Sequence, residues 1–214
     1  FKENHLILFG INTLDKNSGE HFNSLVVVNN KFEILHQYNK KKLVPFGEFL
    51  PFEKFLNKFG LKKITQGYGS FSKGKIQENV VLNDLNILPL ICYEIIFPEL
   101  AQKANNKTNL IVNISEDGWF GNSIGPHQHF AKAIFRSIEN NSFLVRSANK
   151  GISAIISNKG EIIKKLNTYE AGSIEMNIPL LKSEYKNKND LIFFILLFTY
   201  LLIFIIFKNK TNAK

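Results

Sequence analysis

Short apolar runs bounded by glycine, proline, asparagine or lysine recur along most of the chain and predict a series of buried strands. The clearest is Ile-Leu-Pro-Leu-Ile at residues 87–91, which ends at Cys92, the single cysteine of the sequence. Turn residues at 30–31 and 158–160 separate pairs of these runs and predict two β-hairpins. Further strands are expected at residues 5–11, 24–29, 32–38, 109–113, 143–149, 152–156, 161–163 and 173–178.

Helical patterns alternate with these strands. Pro98 opens one helical segment, with proline in its first turn. Residues 128–140 form a second, and because strands and helices alternate on one core, the chain is predicted to be an α/β sandwich-type domain. In this second helix, one face is expected to point inward and the other outward: Phe130, Ile134 and Ile138 inward, and Lys132, Arg136 and Glu139 outward.

An aromatic segment at residues 49–60 is expected to be helical after Pro51, and it places Phe52, Phe55 and Phe59 on one face. Two interpretations of this face remain open. It either packs into the core of the domain, or it forms an arm that dips into lipid or covers an acyl chain.

The C-terminal part differs in kind from the rest. Residues 191–207 contain no charged residue, proline or glycine. A helix of this length spans roughly 25 Å, which is near the lower limit for crossing a membrane. A buried core helix rarely has so continuous an apolar surface on all sides, so a membrane-crossing helix is favoured. Lysines flank it on both sides and therefore give no orientation. The predicted organisation is a catalytic domain at 1–182, a linker at 183–190, a transmembrane helix at 191–207 and a basic tail at 208–214.

Composition narrows the function classes. The net charge is +9, but only Arg136 and Arg146 are arginines, and no nucleic-acid-binding motif accompanies the lysines, so nucleic-acid binding is not predicted. A single cysteine excludes an intramolecular disulfide. His127 and His129 lie two apart with no acidic or thiol ligand beside them, so no metal site is predicted.

Cys92 is the residue on which a chemical prediction depends. Acyl transfer through a thiol needs a nucleophile with thiolate character, a proton acceptor, and positive charge or donors where the oxyanion forms. Lys40, at the end of another predicted strand, and Glu48, just after a Pro-Gly turn, are plausible neighbours of the thiol. A buried structural cysteine is the alternative that the Cys92 stretch alone leaves open.

Several motifs carry a family resemblance. Leu-Val-Pro-Phe-Gly-Glu ends at Glu48, Cys-Tyr-Glu begins at Cys92, Asp-Gly-Trp-Phe-Gly begins at Asp117, and Gly-Pro-His-Gln-His begins at Gly125. Together with Tyr-Asn-Lys ending at Lys40 and the run Arg-Ser-Ala-Asn-Lys-Gly at 146–151, they resemble the apolipoprotein N-acyltransferase family. That family lies within the nitrilase, or carbon–nitrogen hydrolase, superfamily, and the resemblance covers nearly the whole chain.

The resemblance implies an αββα sandwich followed by one transmembrane helix, with a Glu-Lys-Cys triad and neither metal nor cofactor. Cys92 would be the nucleophile, Lys40 the triad lysine that stabilises the oxyanion, and the Tyr93 backbone N–H a second oxyanion donor. Glu48 would be a supporting carboxylate and Glu94 a carboxylate beside the nucleophile. The residues expected to contact substrate are Phe46, Phe49 and Trp119.

The implied reaction moves an acyl chain from a phospholipid, through a Cys92 thioester, to the N-terminal amine of a diacylglyceryl-cysteine apolipoprotein. The implied setting is the bacterial inner membrane, with a monomeric enzyme whose catalytic domain lies on the periplasmic side. The family's general-base glutamate lies upstream of the Lys40 position, in a segment absent from this sequence. We therefore expect an N-terminally truncated domain that is inactive alone. A membrane-tethered amidase or nitrilase and a non-catalytic binding module are the alternatives.

Overall fold

The computed structural model of the protein describes residues 2–52, 55, 58, 70–75, 78–82, 84–103, 108–181 and 191–212. Contacts between residues divide the chain into two compact units, Phe1–Glu184 and Tyr185–Lys214. In the described residues the first unit consists of two β-sheets with short helices, and the second contains one long helix.

The first sheet has three antiparallel strands in the order β1-β2-β3. The hairpin expected at residues 30–31 is confirmed, because β2 and β3 pair in antiparallel fashion on either side of it. The prediction of a buried first strand is wrong for one face: Phe9 is 38% exposed and Ile11 46% exposed, while Leu8 packs between the sheets. The bounds are β1 Ile7–Leu14, β2 His21–Val28 and β3 Ile34–Asn39.

The second sheet has six strands in the order β4-β5-β6-β7-β8-β9. The three central strands, β5 to β7, are parallel, and the outer pairs are antiparallel, including the expected β8–β9 hairpin. The strand predicted at residues 173–178 is wrong, because this segment has no regular structure. The bounds are β4 Val80–Leu82, β5 Leu85–Ile91, β6 Leu110–Glu116, β7 Phe143–Asn149, β8 Ser153–Ile156 and β9 Ile162–Leu166.

Helices connect the parallel strands. A 3-10 helix, Cys92–Ile96, and α1, Pro98–Lys103, follow β5. A second 3-10 helix, Asp117–Phe120, and α2, Gly125–Glu139, follow β6. The carboxyl ends of β5 and β6 therefore both run directly into helical turns at the same edge of the sheet.

The predicted faces of α2 are wrong at two positions. Arg136 is only 4% exposed and Ile138 is 44% exposed. Arg136 lies seven residues, or about two turns, after His129 and therefore shares its buried face. The inward stripe is thus centred on the face of Phe130 and Ala133, and Ile138 lies at its margin.

Two apolar clusters define the layers. One fills the space between the six-stranded sheet and helices α1 and α2, with Leu90, Leu144 and Phe130 among its members. The other joins the opposite face of that sheet to the three-stranded sheet, through residues such as Leu25 and Ile87. The described residues thus form helix, sheet and sheet layers, and β5, the strand that ends at Cys92, contributes to both clusters.

The second unit contains α3, Leu191–Asn212. Over Leu191–Lys208 its mean hydropathy is 2.8 and none of it is buried. Among the described helices, it alone has the length and composition to cross a membrane. Helical structure continues past residue 207, where the transmembrane segment was expected to end, and the predicted linker at 183–190 lies outside the described residues.

Candidate active site

Cys92 lies where β5 ends and a 3-10 helix begins. Its φ of 48° lies in the left-handed region, which costs a non-glycine residue on the order of 1–3 kcal/mol. The side chain is partly buried, and Sγ lies 3.9 Å from the carbonyl oxygen of Glu116. A sharp, strained turn of this kind holds a nucleophile out from the end of a strand.

Glu94 connects the Cys92 turn to the end of β3. Its side chain is fully buried, and Oε1 accepts hydrogen bonds from the Tyr38 hydroxyl at 2.9 Å and from the backbone N–H groups of Lys41 and Lys42 at 2.7 and 3.0 Å. Oε2 accepts from the backbone N–H of Ile91 at 2.9 Å. One carboxylate therefore joins both sides of Lys40 to the residues flanking the thiol.

Burial raises the pKa of Glu94, and the hydrogen bonds from the Ile91, Lys42 and Lys41 N–H groups and from Tyr38 oppose that rise. Each of these four groups donates, so each needs an acceptor oxygen. The contacts around Glu94 are those of a structural carboxylate, because its hydrogen bonds within the described residues come from a hydroxyl and backbone N–H groups.

Lys40 and Glu48 form an ion pair at the end of β3. Lys40 is 1% exposed, and its Nζ lies 2.9 and 2.8 Å from the two carboxylate oxygens of Glu48. Glu48 also accepts from Asn23 Nδ2 at 2.7 Å and from the Val44 backbone N–H at 2.8 Å. A buried ammonium needs such a partner to stay charged. Glu48 therefore holds the Lys40 side chain in place through both carboxylate oxygens.

The loop that carries Glu48 also presents an aromatic side chain. Phe46 has a positive φ of 62° and donates its backbone N–H to the carbonyl oxygen of Phe49 at 2.7 Å. The Phe46 side chain is 48% exposed, whereas Phe49 is partly buried. Farther along, Phe52 is 85% exposed and Phe55 is 60% exposed, so the core interpretation of this aromatic segment is wrong at both residues. Phe59 and most of the helix expected after Pro51 lie outside the described residues.

The side chain of Trp119, on the 3-10 helix after β6, is 65% exposed. Its neighbours Phe120 and Ile124 are 40% and 65% exposed.

Tyr93, directly after the thiol, packs its ring edge-on against Phe97 with a centroid separation of 4.9 Å. Hydrogen bonds of Glu94 thus join Ile91, the residue before Cys92, to the Lys40 strand end, and among the described residues no contact joins Trp119 to them.

A buried polar cluster that the sequence analysis missed lies behind the Cys92 turn. Asp117 accepts from Ser115 Oγ at 2.6 Å and from Arg146 at 2.7 Å, and its Oδ1 lies 2.9 Å from His129 Nδ1. Burial alone would raise the pKa of Asp117, but the His129 and Ser115 hydrogen bonds and the Arg146 charge outweigh it and lower the pKa to about 2.

Arg146 anchors this cluster to the sheet. It is 2% exposed and donates to the side chain of Asn113 and, at 3.2 Å, to the carbonyl oxygen of Ile152. Burial lowers the pKa of the Arg146 guanidinium, and the Asp117 charge opposes that shift. Asn113 in turn donates to the carbonyl oxygen of Leu90 at 2.8 Å.

Strand periodicity contained a signal for this cluster. Arg146 is paired in register with Asn113, as the buried Leu144 is with Ile111. Side chains two residues apart on a strand point to the same face of the sheet, so the sequence pattern places Arg146 in an apolar layer. A buried guanidinium requires a carboxylate partner. Asp117, at the end of the neighbouring strand, supplies it.

The arrangement could hold an acyl group but offers little to a metal. Among the described residues, no group of three or more histidine, cysteine, aspartate and glutamate side chains is placed to bind a metal ion. A thiol at a strained strand end is suited to covalent acyl chemistry.

Comparison with known proteins decides the family. The family model described as carbon-nitrogen hydrolase matches residues 2–184. The chain belongs to the carbon–nitrogen hydrolase family. The resemblance and the fold class expected from the motifs are thereby confirmed.

Curated relatives in this family are acyltransferases. The chain is 42% identical over 159 residues to the apolipoprotein N-acyltransferase of Rhizobium leguminosarum bv. trifolii (strain WSM2304) and 41% identical over 159 residues to that of Rhodopseudomonas palustris (strain ATCC BAA-98 / CGA009). Each match covers 74% of this chain but 30% of the relative. The chain thus matches about 30% of the length of each of those proteins.

Solved carbon–nitrogen hydrolase structures share the fold. The carbon-nitrogen hydrolase from Helicobacter pylori G27 superposes with a TM-score of 0.58 at 15% identity, over 78% of this chain and 59% of that one. Saccharomyces cerevisiae Nit3, of branch 10 of the nitrilase superfamily, gives 0.55 at 17% identity, over 76% of this chain and 55% of that one. At such low sequence identity, these superpositions show a shared fold only.

Proposed function

We propose that this chain is the catalytic part of an N-acyltransferase that transfers a phospholipid acyl chain to the N-terminal amine of diacylglyceryl-cysteine lipoproteins. The observation that carries the proposal is the 42% identity to a protein named apolipoprotein N-acyltransferase, which extends over 74% of this chain. The Cys92 turn and the Lys40–Glu48 ion pair supply chemistry suited to that reaction.

In the first half-reaction, the Cys92 thiolate attacks the ester carbonyl carbon of the phospholipid. A C–S bond forms and the carbonyl oxygen becomes an oxyanion, stabilised by the Lys40 ammonium and the Tyr93 backbone N–H. The ester C–O bond then breaks, and the lysophospholipid alcohol leaves with the proton that the general base took from the Cys92 thiol. Cys92 retains the acyl chain as a thioester.

In the second half-reaction, the lipoprotein amine attacks the thioester carbonyl. A C–N bond forms, the C–S bond breaks, and the amine loses a proton to the general base while the Cys92 thiolate is regenerated. Glu48 serves this cycle by holding Lys40 charged and oriented, since its carboxylate receives both contacts of the ammonium. Glu94 keeps the Lys40 strand end in register with the thiol.

Exposed aromatic side chains suit a lipid substrate. Phe46 and Trp119 are 48% and 65% exposed, and we assign them, with the partly buried Phe49, to contacts with acyl chains. The apolar α3 would anchor the protein in the bacterial inner membrane, with the catalytic unit on the periplasmic side and the enzyme acting as a monomer. Phospholipid and apolipoprotein are then its partners, and no cofactor takes part.

By the family resemblance, the general base of the proposed reaction is a glutamate upstream of Lys40. We therefore expect residues 1–214 alone to form the thioester about 10²–10⁴-fold more slowly than the complete protein, because proton transfer by a placed base contributes that much. Comparing acylation of the two preparations with the same phospholipid measures this difference, and equal rates would contradict it.

The direct test supplies the complete protein, in liposomes, with a phospholipid carrying a labelled acyl chain and with a diacylglyceryl-cysteine peptide. Transfer of the label to the peptide amine is expected, and Cys92→Ala should abolish it. A membrane-tethered amidase would instead release ammonia from simple amides without acyl transfer. A binding module would bind the peptide without transferring anything. Either of those two results would refute the proposal.

A further inference from the structure

His129 reaches the backbone of the nucleophile. Its Nε2 lies 3.2 Å from the carbonyl oxygen of Cys92, although the two residues are 37 positions apart. A carbonyl oxygen can only accept, so Nε2 must carry the hydrogen and donate it. His129 is 5% exposed, and its contact comes from α2, on the helix side of the sheet.

The other ring nitrogen of His129 is held as firmly. Nδ1 lies 2.9 Å from Asp117 Oδ1 and 3.2 Å from a guanidinium nitrogen of Arg146. Asp117 and Arg146 are themselves 1% and 2% exposed and are paired at 2.7 Å. The imidazole is therefore fixed in position on one side and presents a single N–H to Cys92 on the other.

The Cys92 carbonyl and the Tyr93 N–H belong to one peptide unit. This unit is trans, since the described residues contain no cis peptide bond. In a planar trans peptide the C=O and N–H bonds point in opposite directions. A hydrogen bond that holds the Cys92 oxygen towards His129 thus turns the Tyr93 N–H away from α2.

We propose that His129 is a positioning residue that aims the Tyr93 N–H at the developing oxyanion by holding the Cys92 carbonyl. The inference rests on the proposed role of Cys92 as the acyl-carrying nucleophile. His129 touches neither substrate nor thiol in this role, and Asp117 and Arg146 act through the ring that they hold. The strained φ of Cys92 makes such an external hold necessary, because the turn is not a conformation that the chain favours by itself.

Two amide substitutions test the contacts of the two ring nitrogens of His129 separately. The side-chain nitrogen of glutamine in His129→Gln can take the place of Nε2 and keep the bond to Cys92. The amide in His129→Asn overlies Nδ1, so it keeps the Asp117 contact and loses the Cys92 bond. Both variants remove one ring from the same buried position, so each serves as the stability control for the other.

The probe reactions are chosen to need, or not need, an oxyanion donor. A p-nitrophenyl acyl ester acylates Cys92 through a tetrahedral oxyanion, whereas iodoacetamide alkylates the same thiol by direct displacement without one. Both rates are measured on the complete protein in detergent, with Cys92→Ala as the background. Losing one oxyanion donor costs about 10²–10³-fold in rate, so a misaimed donor is expected to cost about 10-fold or more.

The expected result is acylation reduced about 10-fold or more in His129→Asn and within roughly threefold of the parent protein in His129→Gln, with alkylation unchanged in both. Unchanged acylation in His129→Asn would overturn the inference. So would a parallel loss of acylation and alkylation in both variants, which marks a purely structural residue. Absence of Cys92 acylation in the parent protein would overturn it together with the assigned nucleophile. Cys92 acylation by the activated ester without transfer from phospholipid would refute the proposed function alone.

Discussion

Replacing Asp117 by asparagine should destabilise the first unit strongly. The carboxylate pairs with Arg146 at 2.7 Å, and both side chains are fully buried. Asparagine has the same shape but no charge, so it leaves the guanidinium without its counter-ion in the interior. Breaking a buried ion pair from one side typically costs about 3–5 kcal/mol. We expect a loss of that size in the free energy of unfolding.

The pKa of Asp117 gives an independent magnitude. It is lowered from 3.8 to about 2 in the folded protein, which corresponds to about 2 kcal/mol of stabilisation by ionisation. Because the folded pKa lies below the unfolded one, this stabilisation is complete above about pH 4 and is lost as the pH falls from about 4 to about 2. Asp117→Asn lacks this carboxylate, so between about pH 4 and about pH 2 its free energy of unfolding should fall less than that of the parent protein.

Hydrogen exchange in the peptides from β6 and β7, measured on the complete protein in detergent at increasing denaturant concentration, measures both effects. Glu99→Gln is the matched control, since it also turns an acid into an amide but removes an exposed ion pair with Lys42 at 3.1 Å. We expect the control to cost about 0–1 kcal/mol. Equal losses in the two variants, or the same acid dependence with and without Asp117, would refute the account of the buried cluster.

Two other predictions concern Lys40 and the aromatic residues Phe52 and Phe55. If Lys40 is the oxyanion donor that we propose, Lys40→Ala should slow thioester formation by about 10²–10³-fold, while Lys41→Ala, one residue on, should leave it within a few-fold. Normal acyl-enzyme in Lys40→Ala would contradict the role of that ammonium. Replacing both Phe52 and Phe55 by serine should raise the KM for the phospholipid without lowering the thermal midpoint, since these side chains are 85% and 60% exposed. A lower midpoint with an unchanged KM would instead restore the core interpretation.

Much of the fold followed from local patterns. The apolar run before Cys92 and the turn residues at 158–160 predicted β5 and the β8–β9 hairpin, because short-range signals determine both. The segment 173–178 had strand-forming residues but forms no strand, since pairing partners are a tertiary property that composition does not contain. Burial of β1 was overestimated for the same reason, as the pattern does not say which sheet face is covered.

The site was predicted unevenly. Lys40 and Glu48 were suggested by their positions at a predicted strand end and after a turn, and the family resemblance added Glu94. The structure then showed how hydrogen bonds connect Glu94 to the Lys40 strand end. Arg136 was expected on the outer face of α2 because it is charged, yet its position in the helix repeat buries it. His129 could not be assigned from sequence, since its role depends on a contact with a backbone carbonyl 37 residues away.

The most direct test of the central claim is the identity of the atom that carries the acyl chain. The complete protein is incubated with a labelled phospholipid, quenched in acid, digested, and its peptides are weighed by mass spectrometry. The account predicts one acyl group on the peptide containing Cys92, released by neutral hydroxylamine, transferred on addition of the lipopeptide amine, and absent from Cys92→Ala. Acyl transfer that continues in Cys92→Ala, or that proceeds with no acyl group on Cys92, would contradict it.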